Sequence, residues 1–167
     1  MRYNKFIPFV VILLFVLVSC KPEDPQFTPQ MNFSPFIVYH ADSLQSVDTM
    51  RVRYVDEEYI LDTIAVGDTV RYYILLNGVT NELTSFTLKT DSTVLHYSFS
   101  LTDDFTQALD ASSDLANGVM NFKPGYAAAS FITEYIAKKT GLPKVTLTLS
   151  SNSKFSPTSV AFRQPIE

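Results

Sequence analysis

From about Asn32 onward the chain alternates apolar and polar positions in short runs separated by turn-forming residues, as half-buried β-strands do. Three runs are clearest. Residues 70–76 follow the turn Val66-Gly67-Asp68-Thr69 and stop at Asn77-Gly78, a dipeptide suited to a tight reversal. Residues 83–88 alternate and stop at Lys89-Thr90-Asp91. Val145-Thr146-Leu147-Thr148-Leu149 keeps a strict period of two, which places Val145, Leu147 and Leu149 on one buried face and Thr146, Thr148 and Ser150 on a solvated one. Weaker runs at 36–39, 50–55, 59–64, 94–99, 119–122, 131–136 and 160–162 bring the total to about ten strands, and Asp56-Glu57 reads as a hairpin turn between two of them.

Two stretches carry a competing helical period. Residues 102–117 place Asp103 and Asp104 early, Phe105, Leu109 and Leu115 at helical spacing, and Asn117-Gly118 as a stop, so a loop with one or two helical turns is expected there. Residues 124–141 fit a helix as well as a strand, through Phe131 with Tyr135, Ile132 with Ile136, and Lys138-Lys139 before Gly141. A strand from Phe131 is preferred. Tyr135-Ile136-Ala137-Lys138-Lys139-Thr140-Gly141 followed by 144–150 resembles the last hairpin of bacterial immunoglobulin-like domains, in which an aromatic strand leads through a glycine turn into an alternating Val-Thr-Leu-Thr-Leu strand. The closing segments 149–157 and 160–162 are similar to the ends of Bacteroidetes-type surface lipoproteins. This resemblance covers roughly residues 60–167 and implies no activity. The expected fold is therefore all-β: an immunoglobulin-like antiparallel β-sandwich over residues 32–167, with extra edge strands and one short helical segment.

The N-terminus follows different rules. Arg2 and Lys5 precede an apolar run over residues 6–18, which Leu17-Val18-Ser19-Cys20 closes. Positive charge, apolar stretch and small-residue site come in the order of an export signal. As a helix the run would reach about 20 Å, short of a hydrocarbon core of roughly 30 Å. Leu17-Val18-Ser19-Cys20 resembles the lipobox of bacterial lipoproteins, which implies cleavage after residue 19 and acylation of Cys20. Each acyl methylene contributes about 0.8 kcal/mol, so two or three chains would hold the protein durably at a membrane. Residues 20–31 then read as a lipidated tether, with Pro22, Pro25 and Pro29 favouring extended backbone. Glu23-Asp24 is similar to the acid-rich signal that sends such lipoproteins to the cell exterior. The expected location is the outer membrane, lipid-anchored, on the cell surface or the periplasmic face.

Composition narrows the partners. Loss of residues 1–19 removes Arg2 and Lys5 from the 13 basic residues and none of the 17 acids, deepening the net charge of −4 by two. Nucleic acid, which demands basic patches, is not an expected partner. Cys20 is the one cysteine, so no disulfide can form within the chain and stability must come from packing.

Candidate chemistry is sparse. His40 and His96 have no second ligand at metal-binding spacing, although a zinc site built from both plus a carboxylate could form in three dimensions. The bland placement is His40 near a strand end and His96 on a strand face. No Gly-x-Ser-x-Gly turn is present. Asp56, Glu57 and Glu58, or Asp103 and Asp104, could supply paired carboxylates for glycoside hydrolysis, but adjacent acids usually sit in solvated turns. Asp110-Ala111-Ser112-Ser113-Asp114 is an oxygen-rich loop that lacks the glycine and terminal glutamate of an EF-hand. No cofactor, metal or catalytic residue is assigned.

The remaining feature is 13 phenylalanines and 9 tyrosines without a tryptophan. Tyr54, Tyr59, Tyr73 or Tyr97, if exposed, could stack on sugars or form a protein-binding patch. The expected function is a non-catalytic, membrane-anchored binding or structural module with a protein partner. A glycan-binding lipoprotein and a hydrolase with a site built from scattered loops are the alternatives.

Overall fold

The computed structural model describes residues 26–42 and 47–167. The signal segment, Cys20 and the Glu23-Asp24 pair lie outside the described residues.

Twelve strands are found among the described residues: β1 (Gln30–Phe33), β2 (Ile37–Tyr39), β3 (Val47–Thr49), β4 (Val52–Val55), β5 (Glu58–Leu61), β6 (Thr69–Asn77), β7 (Leu83–Lys89), β8 (Leu95–Ser100), β9 (Val119–Asn121), β10 (Ala128–Ala137), β11 (Lys144–Ser151) and β12 (Thr158–Arg163). Helix α1 (Asp103–Ala108) and a 3₁₀ turn (Leu115–Asn117) lie between β8 and β9. The strands form two sheets. The first runs β3-β2-β6-β10-β8, with β1 also on β6; the second runs β4-β5-β12-β11-β7-β9. Within them, β2-β6-β10-β8 and β12-β11-β7 follow the A-B-E-D and G-F-C orders of an immunoglobulin-like sandwich. The remaining strands are the expected additions at the edges.

The alternating runs became strands because each offers one apolar face to the opposite sheet. On β6 this face is Val70, Tyr72, Ile74 and Leu76; on β10 it is Phe131, Thr133, Tyr135 and Ala137; on β11 it is Val145, Leu147 and Leu149. The β6–β10 ladder is continuous from Ala128 opposite Asn77 to Ile136 opposite Thr69. Such length decides the helix–strand competition in 124–141. A helix would have kept Phe131 and Tyr135 on one face but turned Thr133 to the opposite one, whereas the strand buries all three.

Two aromatic clusters join the sheets. At one end Tyr72 packs on Phe36 at 4.5 Å between ring centroids, and Phe162 lies edge-on to both. At the other, Phe131 meets Phe86, Phe99 and Phe105 edge-on. Phe105 reaches that cluster from α1, whose first turn Thr102 caps by accepting the Phe105 N–H. The Asn117-Gly118 stop is realised by Gly118, which ends the 3₁₀ turn at φ 70°.

Four features differ from expectation. First, the second sheet is mixed: β5 runs parallel to β12, with Tyr59 opposite Phe162. Second, residues 83–88 do not alternate simply. The register slips where Ser150 faces Ser85 and Ser151 faces Leu83, so Thr84 is a bulge and Leu83 and Phe86 both turn inward. Third, β1 and β3 arise where no run was expected; β1 and β2 are one edge broken at Ser34-Pro35. Fourth, the fold takes in residues assigned to the tether. Gln30 and Met31 pair with Asn77 and Leu76, and the Phe27 N–H donates to Asn81 Oδ1. Backbone pairing to β6 satisfies groups that proline-rich chain would otherwise leave to water.

Two buried hydroxyls are left over at the centre of the first sheet. Tyr72 and Thr133 stand opposite each other; neither side-chain oxygen has a partner in hydrogen-bond geometry among the described residues, although the nearby Thr133 hydroxyl partly offsets the burial that raises the Tyr72 phenol. Replacing both by apolar groups of the same shape, Tyr72→Phe with Thr133→Val, is expected to stabilise the fold by about 1 kcal/mol in urea denaturation. A comparable loss would show that the hydroxyls are paired.

Candidate functional site

The β4–β5 hairpin turns at Asp56 and Glu57, whose φ angles of 49° and 65° give the reversal that right-twisted strands need. Pairing Val52 with Leu61 and Tyr54 with Tyr59 puts these four side chains on one face of the hairpin. That face points toward the sandwich interior at its base and runs out beyond it at the tip. Leu61 is buried, whereas Val52 is 50%, Tyr59 46% and Tyr54 64% exposed. The opposite sheet ends in β3, three residues that are all exposed. Hence nothing among the described residues closes the hairpin's inner face.

The result is an apolar cleft of about 470 Å³. The β1–β2 bend, Phe33-Ser34-Pro35-Phe36, forms one wall with Met50. Val52, Tyr59 and Leu61 form the other, and Val160 and Phe162 of β12 the floor. Phe36 and Phe162 belong to the aromatic cluster around Tyr72, so the floor is as rigid as the core. Tyr54 and Tyr59 touch across the hairpin at 5.0 Å with their planes tilted by 52°.

A second hollow of about 330 Å³ adjoins the first through Tyr59, Val160 and Phe162. It is polar, and of its charges Glu58, Lys144 and Arg163 pair with one another. Glu58 accepts from the Arg163 guanidinium and, at 3.3 Å, from Lys144 Nζ. Arg163 first, and Lys144 beside it, hold the Glu58 carboxyl below its ordinary value. The shift is opposite to that of a general acid. The ion pairs instead fasten β5 to the β11–β12 hairpin beneath the cleft.

The histidines are far from this hairpin tip and from each other. His96 is exposed on β8. His40 follows β2, and because β6 and β10 lie between those strands, the two are about 14 Å apart at sheet spacing. Among the described residues no group of three or more His, Cys, Asp or Glu is arranged to hold a metal ion. His40 does gather two carboxylates, which sequence alone did not pair with it. Its Nδ1 lies 3.1 Å from Asp68 Oδ2 and its Nε2 lies 3.2 Å from Asp48 Oδ2. Burial alone would push the Asp68 carboxyl up, but the N–H groups of Ala41 and Ala65 and the imidazole outweigh it and hold the carboxyl low. Asp48 first and Asp68 second raise His40. The cluster ties β3 and the β2 end to the turn before β6, and lines neither cleft.

The other predicted candidates are occupied locally. Asp110 accepts from the Ser112 N–H and hydroxyl, and Asp114 from the Asn117 N–H and side-chain amide. Asp103 and Asp104 sit exposed in the first turn of α1, where the helix dipole favours them. Asp56 and Glu57 are the exposed turn. Of the tyrosines named from sequence, Tyr54, Tyr59 and Tyr73 are exposed, and Tyr97 is half-buried against Phe99. Of these four, Tyr59 lines the cleft and Tyr54 lines the hollow beside it.

No protein-family model matches the chain, and no curated protein matches it in sequence. Among solved structures it is similar to a DUF4466 family protein from Parabacteroides merdae, with 9% identity over 83% of this chain and a TM-score of 0.42. A family 123 glycoside hydrolase from Clostridium perfringens gives 12% identity over 84% of this chain at a TM-score of 0.42. A type II cohesin domain from the cellulosome of Acetivibrio cellulolyticus gives 16% identity over 66% of this chain and 94% of its own length, at a TM-score of 0.36. The chain spans 44% of the first of these proteins and 27% of the second. The fold class rests on the strand order itself.

The His40 cluster generates a pH dependence of known sign. The folded value for His40 lies above the free value of 6.5, so its contribution is complete below that pH and is lost as pH rises through the folded value. Asp68 acts oppositely, losing its contribution only as pH falls through a value below 3.8. The stability difference between wild type and His40→Ala is therefore expected to be largest near about pH 5 and to shrink toward about pH 9. A difference that stays constant across this range would show that His40 contributes through packing alone.

Proposed function

We propose that this chain is a membrane-anchored, non-catalytic binding module of the bacterial envelope that offers the β4–β5 cleft to a protein partner. The carrying observation is the uncovered apolar face of Val52 and Tyr59 above a floor set in the core, with exposed Tyr54 beside it. Exposed aromatic residues beside a rigid pocket are what protein anchors use. A protein suits the cleft better than a glycan does. Sugar hydroxyls need convergent donors and acceptors, and the lining offers only the hydroxyls of Ser34 and Tyr59 among its side chains. The tilt between Tyr54 and Tyr59 also denies a sugar a flat stacking platform.

The anchor in this reading is the lipid on Cys20. It is supported by Leu17-Val18-Ser19-Cys20 and by the short apolar run before it. Glu23-Asp24 supports the outer face of the outer membrane over the periplasmic one.

Two measurements test the parts separately. A palmitate analogue fed to cells is expected to label the wild type and leave Cys20→Ala unlabelled; equal labelling would remove the lipid anchor from the proposal. A photo-reactive phenylalanine analogue at position 59 is expected to yield a discrete adduct with another envelope protein in intact cells. The same group at Tyr73, on the outer face of β6, is expected to yield none. No adduct from position 59, or equal adducts from both, would refute the cleft as the binding surface.

A further inference from the structure

The β4 strand is an open sheet edge of an unusual kind. It lies at the end of the second sheet, pairs only with β5 among the described residues, and all four of its side chains are exposed. Natural edges are commonly blunted by proline, lysine, a bulge or a covering loop. Here three of the four positions, Val52, Tyr54 and Val55, are apolar, and the ladder with β5 has no register shift. An unpaired row of N–H and C=O groups therefore borders an uncovered apolar face.

The charges along this edge are ordered. Arg51 and Arg53 stand at the start of the strand, and Asp56 and Glu57 at its end. Arg53 has an ion-pair partner in Asp62 at 4.0 Å, and Glu58 is engaged by Arg163 and Lys144. Arg51 and Glu57 have no ion pair among the described residues. A strand added antiparallel to β4 would have to bring basic charge to the acidic turn, acidic charge to Arg51, and apolar side chains at alternate positions above the hairpin's inner face. The segment that meets all three demands is β4 itself.

We infer that β4 pairs antiparallel with β4 of a second copy of this chain, joining two six-stranded sheets across a twofold axis. The side-chain period of two restricts the register. Inner-face residues must oppose inner-face residues, which leaves an axis at Arg53 or at Tyr54; the first would set Arg53 against Arg53, and like charges directly opposite are destabilising, so the axis passes through Tyr54. Tyr54 then faces its own copy, Arg53 faces Val55, and Arg51 of each copy comes alongside the acidic Asp56-Glu57 turn of the other, as an isologous interface requires. The edge carries this inference and the cleft does not. The two stand or fall separately, since cleft capture of another protein needs Tyr59 and the floor but no Arg51–Glu57 pair.

The test uses the full chain on its native membrane. Directly opposed antiparallel residues have Cα atoms about 4.5–5.5 Å apart, within disulfide reach. Under mild oxidation Tyr54→Cys is expected to give at least tenfold more covalent dimer than Tyr73→Cys, with the wild type, carrying Cys20 alone, as background. Arg51→Glu or Glu57→Arg added to Tyr54→Cys is expected to cut the dimer yield severalfold, and the two charge reversals together to restore it. Equal yields from Tyr54→Cys and Tyr73→Cys would overturn the inference. So would a doubly reversed chain that dimerises no better than the single reversals.

Discussion

The contact of Phe36, Tyr72 and Phe162 is the point on which the rest of the molecule depends. With a single cysteine in the chain, no covalent bridge can hold the two sheets together, and they are joined only where their side chains interlock. These three rings come from the β1–β2 bend, from β6 and from β12, so one contact fixes the broken edge, the central strand and the closing strand at once. The parallel β5–β12 pair is short, two residues opposite two, and it is this cluster that keeps β12 where β5 can reach it. The hairpin and its cleft follow from that placement.

Polar groups reinforce the same joints from outside. Glu58, Arg163 and Lys144 bind the outer surface of the β5–β12 junction. Gln164 does so from within: it is fully buried, its amide donates to the Asp62 and Pro165 carbonyls, and its Oε1 accepts from the Tyr135 hydroxyl at 2.6 Å. A buried amide bonded through both its oxygen and its nitrogen stabilises one packing over its alternatives, because any slip of β12 would strand it. Asp68 plays the matching part at the far end of β6, collecting the N–H groups of two loops and the His40 ring.

Much of the architecture was legible because period-two alternation records burial directly. The runs at 70–76, 131–136 and 145–149 could be read as strands with an inward face, and the helical turns near Phe105 followed from their capping and spacing. What escaped notice lacked that local record. Val47-Asp48-Thr49 alternates nothing, since none of the three is buried. The pairing of β1 with β6 is a partnership across more than forty residues that proline-rich composition concealed. The Thr84 bulge depends on Ser150 and Ser151, and the β5–β12 pairing on residues a hundred positions apart. The candidate site was legible in its parts and not in its assembly. Tyr54 and Tyr59 could be named as aromatic candidates and Asp56-Glu57 as their turn. That Val52 joins them above Phe36 and Phe162, while Tyr73 faces away, depends on how two sheets overlap. His40 was placed correctly at a strand end, but its partner Asp68, 28 residues later, had no local mark beyond a turn.

The parallel seating of β5 beside β12 also sets an order of assembly. A chain that is made or threaded from its N-terminus presents β4 and β5 long before β12 exists, and no earlier strand can stand in for it. Over that interval the hairpin has no neighbouring strand in the second sheet. It can join that sheet only when residues 158–163 are present. The hairpin that carries the cleft thus owes its seat to the last of the described strands.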